Sequence, residues 1–232
     1  MSSISRLAAA AMVLCGVALP AMAQQQPAKA EDEVAYTPPM RGAPQRRIGG
    51  SSRGAETPLP SVFVLAPDHV GLTTAEQPSL YWYISGPTRV RVEVTLVEEK
   101  RVAPLVETPV APLAGAGVQR LRHADLKVSL EREVEYQWTV SLVPDDRERS
   151  SDVISGGVIK RVAPPAGLQE KLAGASREAR PRVLAAAGLW YDAIAELSEL
   201  IEANPGDRVL REQRARLLEQ VGLPDAAAAD RR

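Results

Sequence analysis

Two stretches of the chain alternate apolar and polar residues with a period of two, and this alternation sets what the molecule can fold into. In RVRVEVTLVEE, Val90, Val92, Val94 and Leu96 alternate with Arg89, Arg91, Glu93 and Thr95. In VEYQWTVSLVP, Tyr136, Trp138, Val140 and Leu142 alternate with Gln137, Thr139 and Ser141. Successive side chains of a strand point to opposite faces, so each stretch reads as a strand with one face in a core.

The same reading extends over 61–163. SVFVLAP and SLYWYIS are β-rich runs bounded by proline or glycine, ISGGVIKRV supplies a last strand, and APLVETPVAP and GVQRLRH fit two weaker ones. About seven short strands in roughly 100 residues, with no helical pattern between them, predict an antiparallel β-sandwich of the immunoglobulin or fibronectin type. A small barrel has the same strand pattern. Leu130, with Tyr136 six residues later, suits the tyrosine corner that leads into a late strand of such sandwiches. Trp82 and Trp138 are the expected centre of the core.

The N-terminus predicts a destination. Arg6 is the one charge before LAAAAMVLCGVALP, an apolar run too short to span a bilayer, and AMA at Ala21–Ala23 follows in the small-x-small pattern of a signal-peptidase site. Residues 1–23 therefore read as a cleavable signal peptide, giving a periplasmic or extracellular protein that begins near Gln24. Cys15 follows Leu14, where a lipid-anchored cysteine requires a small residue, so no lipidation is expected. Cys15 is also the only cysteine, so the mature chain has no thiol for a disulfide, a metal or a nucleophile. No later apolar run is long enough to span a membrane. The net charge of −1 becomes about −2 once Arg6 is removed, a balance that favours neither nucleic acid nor a general membrane surface.

Residues 24–60 are dense in Pro, Gly, Gln and Ser with almost no apolar periodicity, and read as a disordered linker. An acidic cluster, Glu31 to Glu33, precedes Arg41, Arg46, Arg47 and Arg53. This stretch is either a solvated linker or an anion-contacting arm for envelope polymer, lipid headgroup or an acidic protein.

After Pro164-Pro165 the period becomes helical, giving a C-terminal hairpin of two to four helices over 164–223. GLQEKLAGASREA opens a helix, Pro181 interrupts or restarts it, and Gly188 sits where a helix C-terminal glycine belongs. Trp190, Ile194, Leu197 and Ile201 then form one stripe, widened by Ala193 and Leu200. Asn204-Pro205-Gly206 ends this helix and Asp207 can cap the next. Residues 224–232 read as a frayed, disordered tail. The fold class is thus α+β, a sandwich followed by a helical tail.

GLWYDAIAELSELIEANPGD, Gly188 to Asp207, resembles the turn, second helix and close of one tetratricopeptide unit, specifically at Gly188, Ala193 and Pro205. No second copy lies at a 34-residue spacing, and a solenoid needs about three units, so a repeat scaffold is not expected. A wider likeness runs from Tyr36 to Leu223: YTPPMRGAPQRRIGGSSRGA, PDHVGLTTAEQPSLYWYIS, YQWTVSLVPDDRERSSDVISGGVIKRV and GLWYDAIAELSELI, in that order. This resembles a family of exported bacterial proteins, domain of unknown function 928. The resemblance implies a β-domain with a helical tail and assigns no catalytic residue. Ser51-Ser52 stand where a further glycine or threonine is expected.

Catalytic patterns are sparse. His69 and His123 are the only histidines and lie in different segments, no Gly-x-Ser-x-Gly elbow is present, and RIGGSSRG lacks the Walker lysine. Asp145, Asp146 and Asp152 lack calcium-loop spacing and read as a solvated hairpin loop. No catalytic residue, metal or cofactor is assigned. The expected role is a non-enzymatic binding or accessory module for an envelope or secreted protein. One candidate contact surface is the helical stripe with Trp190, Tyr191 and Ile194. The alternatives are a structural or carbohydrate-contacting envelope protein that stacks cell-wall polymer on Tyr81 and Tyr83, and a hydrolase with unmarked carboxylates.

Overall fold

The computed structural model describes residues 34–38, 47–49, 59–111, 115–122, 125 and 127–232. The expected signal peptide, Arg41, Arg46, Arg53 and His123 lie outside the described residues. Glu33–Arg232 form one compact unit. Among the described residues there are two sheets, eight strands and five α-helices, a mixed α+β architecture. No helix among them is long and apolar enough to cross a membrane.

The strands are β1 (Val62–Val64), β2 (Gly71–Thr73), β3 (Ser79–Ile84), β4 (Arg91–Glu98), β5 (Val106–Val110), β6 (Gly117–Arg122), β7 (Glu135–Val143) and β8 (Val153–Arg161). One sheet has the order β1-β3-β6 and the other β2-β8-β7-β4-β5. The alternating stretches pair with each other: Val92 opposite Leu142, Val94 opposite Val140 and Leu96 opposite Trp138. All six are at most 1% exposed, so their apolar faces form the floor of the core, as the period-two pattern requires. Trp82 and Trp138 are fully buried.

The first β-rich run, SVFVLAP, supplies β1 alone, and β2 lies beyond it. β1 pairs antiparallel with β3, whereas β2 pairs parallel with β8 in the other sheet. The chain crosses between them over 65–70, where Pro67 cannot donate to a ladder.

The helices are α1 (Leu168–Ala173), α2 (Arg180–Ala186), α3 (Trp190–Ala203), α4 (Arg208–Gln220) and α5 (Pro224–Asp230). Pro181 lies in the first turn of α2, where its missing N–H costs no hydrogen bond. Gly188 has φ 77°, the left-handed conformation that suits a helix stop. Asp207 caps α4 by accepting from the N–H groups of Val209 and Leu210. Helix α3 lies against β2 and β3, and α5 reaches β6. The sheets and helices share one continuous apolar core.

The expected frayed tail is corrected by α5. Pro224 starts it, the alanine run favours helix, and Ala226, Ala227 and Asp230 are buried. The expected linker also meets the body. Val34 is fully buried, and the Ile48 carbonyl accepts from Gly156 N–H on β8 at 3.2 Å.

Candidate functional site

Trp190, Tyr191 and Asp192 occupy the first turn of α3 and seat it against the sheets beside β2 and β3. Trp190 is fully buried, and its indole N–H donates to the Leu65 carbonyl at 2.8 Å. The Tyr191 hydroxyl donates to the Val158 carbonyl at 3.1 Å and accepts from Trp138 Nε1 at 2.9 Å. Burial raises the Tyr191 pKa well above the usual phenol range, so the ring stays neutral. Gly71 makes room for it, since a Cβ there would come within 2.5 Å of the tyrosine ring. Asp192 accepts from the Thr74 N–H at 2.9 Å and from the Thr73 and Thr74 hydroxyls. Its charge also suits the helix N-terminus.

This seating corrects the expected contact surface. Trp190, Tyr191 and Ile194 are at most 2% exposed, so the stripe is spent on the protein's own sheets. The tyrosine platform is corrected too. Tyr81 and Tyr83 are 2% and 4% exposed. Tyr81 lies beneath the Arg120 guanidinium, 5.7 Å from its ring centre, and Arg120 pairs with Glu199 and Glu202 of α3. Burial, only partly opposed by Arg120, pushes the Tyr81 pKa up to about 12. Tyr83 stacks on Phe63 at 6.5 Å.

Of the four arginines expected to contact anions, Arg47 is the one among the described residues, and it is used internally. Its guanidinium donates to the carbonyls of Ala66 (3.1 Å), Val221 (2.8 Å) and Gly222 (2.6 Å). A cation at the C-terminal end of α4 is favoured by the helix dipole and satisfies carbonyls left open there. Burial lowers the Arg47 pKa, and Asp68 opposes that shift. Close by, Tyr36 packs edge-on to Trp190 and its hydroxyl meets His69 Nε2 at 2.9 Å. His69 Nδ1 in turn lies 3.0 Å from Asp68, which makes this histidine a tether for the N-terminal segment.

The acidic hairpin loop is committed to neighbours. Asp145 accepts from Arg147 N–H, Asp146 pairs with Arg91, and Asp152 pairs with Arg149.

One concavity lies where the sheets meet the helices. About 430 Å³ in volume, it is lined by Phe63, Leu223, Pro224 and Ala226, with Arg47, Asp68 and Asp225 as its charged groups. Phe63 reaches it because β1 turns Val62 and Val64 inward and leaves the residue between them facing out. Leu223 and Ala226 are buried and form its floor. Gly222, with φ 72°, turns the chain from α4 into α5 and so brings Asp225 to the rim. The Asp68 side chain is 66% exposed. Two carboxylates thus line the pocket with one guanidinium, whose N–H groups are already directed at three carbonyls. An apolar group carrying positive charge matches this lining. Phe63, Asp68 and Asp225 were not singled out in the sequence, because the pocket joins 47–49, 63–68 and 222–226.

A family model described as Domain of Unknown Function (DUF928) matches residues 48–231. The chain belongs to this family. The DUF928 span takes in all eight strands and all five helices, together with every lining residue of the seam pocket named above except Arg47. It begins at Ile48, where the chain first bridges to β8. Among curated proteins, none matches the chain.

Proposed function

We propose that this DUF928 chain is an exported, non-enzymatic binding module of the cell envelope that captures a partner protein at the seam pocket. The observation carrying the reading is the lining of that pocket: an apolar floor of Phe63, Leu223 and Ala226 beneath Asp68 and Asp225. The partner presents a lysine or arginine flanked by apolar side chains, since the aliphatic stem fills the floor and the charge meets the carboxylates. The export segment at 1–23 delivers the chain to the periplasm or beyond.

The scaffold reading is an immunoglobulin-type sandwich with a helical tail. It is supported by the two-sheet strand order, by β2 running parallel to the last strand, and by Glu131 N–H donating to the Tyr136 hydroxyl at 3.1 Å, the contact expected of a tyrosine corner. On such a scaffold the helices wall one side of the pocket and the sheet walls the other.

Selection of a displayed peptide library on the immobilised chain tests the proposal. Enriched peptides should carry Lys or Arg next to Leu, Met or Phe. The variant Asp68→Lys/Asp225→Lys, altered only at exposed positions, should bind them at least about tenfold more weakly, a loss of about 1.4 kcal/mol. Equal binding by the wild type and this variant would sink the assignment of the pocket.

A further inference from the structure

A second concavity lies at the far end of the helical layer, between the α3–α4 turn and the last residues of the chain. It has a volume of about 560 Å³ and includes Arg208, Arg211, Arg231 and Arg232, with Glu212 and Asp230. The carboxylates here are already neutralised. Arg214 holds both oxygens of Asp230, at 2.6 and 2.7 Å. Arg231 pairs with Glu212 and Glu219, and Arg216 pairs with Glu212. These contacts hold Glu212 and Glu219 below the usual carboxylate range, with Arg231 the largest cause for each. The nearby Asp207 carboxylate is turned into the start of α4, accepting from Val209 and Leu210 N–H.

Three guanidiniums are left over. Arg208 and Arg232 are exposed, and their guanidiniums make no hydrogen bond or ion pair among the described residues. Arg211 uses only Nε, on the Pro205 carbonyl at 3.0 Å. By contrast, Arg91, Arg120, Arg149 and Arg161 each face a carboxylate.

We propose that this groove is a binding site for a phosphoryl group. The molecule itself supplies the calibration, because one planar fork, Arg214, satisfies a whole carboxylate. Three uncompensated forks in one groove call for an anion with more oxygens and more charge. A phosphate carries about −1.5 to −2 at neutral pH and three strong acceptor oxygens. The shared chemistry has two sources, a soluble phosphate or a phosphomonoester lipid headgroup. Val209, 66% exposed beside Arg208, gives the same tip an apolar contact suited to the headgroup. The site is separate from the seam pocket, so Asp68→Lys/Asp225→Lys leaves it intact.

The test compares the full chain with Arg208→Ala/Arg232→Ala, which removes two side chains that support nothing in the fold, and with the triple variant that adds Arg211→Ala. Pyrophosphate binding is followed by calorimetry at physiological salt. Binding to vesicles is followed by co-sedimentation, using phosphatidylcholine with and without phosphatidic acid. The wild type should bind at least one probe, the double variant at least tenfold more weakly, and the triple variant not measurably. Binding to pyrophosphate alone identifies a soluble phosphate. Binding only to phosphatidic acid vesicles, displaced by pyrophosphate, identifies a headgroup. The proposal is overturned if the wild type binds neither probe or if the variants bind as tightly as the wild type. It is equally overturned if acetate at matched ionic strength displaces the probe as well as phosphate does.

Discussion

Trp190→Ala is expected to destabilise the whole protein by about 3–5 kcal/mol, the usual cost of deleting a large buried aromatic side chain. The side chain is fully buried, lies 5.0 Å from the Tyr36 ring and donates to the Leu65 carbonyl. Truncation therefore opens a cavity, orphans a carbonyl and loosens the N-terminal segment together. Trp190→Phe separates these effects. It keeps most of the ring but leaves the Leu65 carbonyl without its donor, and should cost about 1–3 kcal/mol. Denaturant midpoints measure both. A Trp190→Ala loss within about 0.5 kcal/mol, the range of an ordinary surface change, would mean that the indole is not a seat at all.

Asp230→Ala should cost a similar amount, about 3–5 kcal/mol, although the residue is third from the end of the chain. Arg214 and Asp230 are 5% and 3% exposed, and Arg214 also donates to Ser198 of α3 at 3.0 Å. One ion pair thereby ties α3, α4 and α5 together. Removing the carboxylate leaves a desolvated guanidinium with a single neutral partner. Replacing both members by apolar residues of similar volume should cost far less, because the penalty comes from the unpaired charge and not from the loss of attraction. Thermal unfolding of the single and double variants separates the two. Equal losses would show that the pair itself, and not the orphaned charge, carries the energy.

Local features were legible in the sequence because their causes are local. The period-two runs at 90–96 and 136–142, the stripe from Trp190 to Ile201, the Gly188 stop and the Asp207 cap each follow from neighbours within a few residues. What covers the stripe was not legible, since Trp190 meets a carbonyl 125 residues away. The same distance problem hid the role of Arg47, whose acceptors lie 19 to 175 residues along the chain. SVFVLAP carried the signal of β1 but not of β2, a three-residue strand beyond Pro67 that joins the other sheet. Helix α5 looked like a frayed end because seven residues rarely hold a helix alone. Its stability comes from Arg214, 16 residues earlier. Both candidate sites share this character, being meetings of turns whose separate sequences carry no motif.

The central claim is that the helical layer is part of the same folded body as the sheets, seated by Trp190, Tyr191 and Asp192. Native-state hydrogen exchange on the intact chain tests it most directly, because it reports an opening free energy at each amide. The account predicts that the central amides of α3 and those of β7 and β8 exchange through the same global opening, and that Trp190→Ala lowers all of them together. If α3 opens several kcal/mol more cheaply while β7 and β8 stay protected, the helices are a separable appendage and the account is wrong.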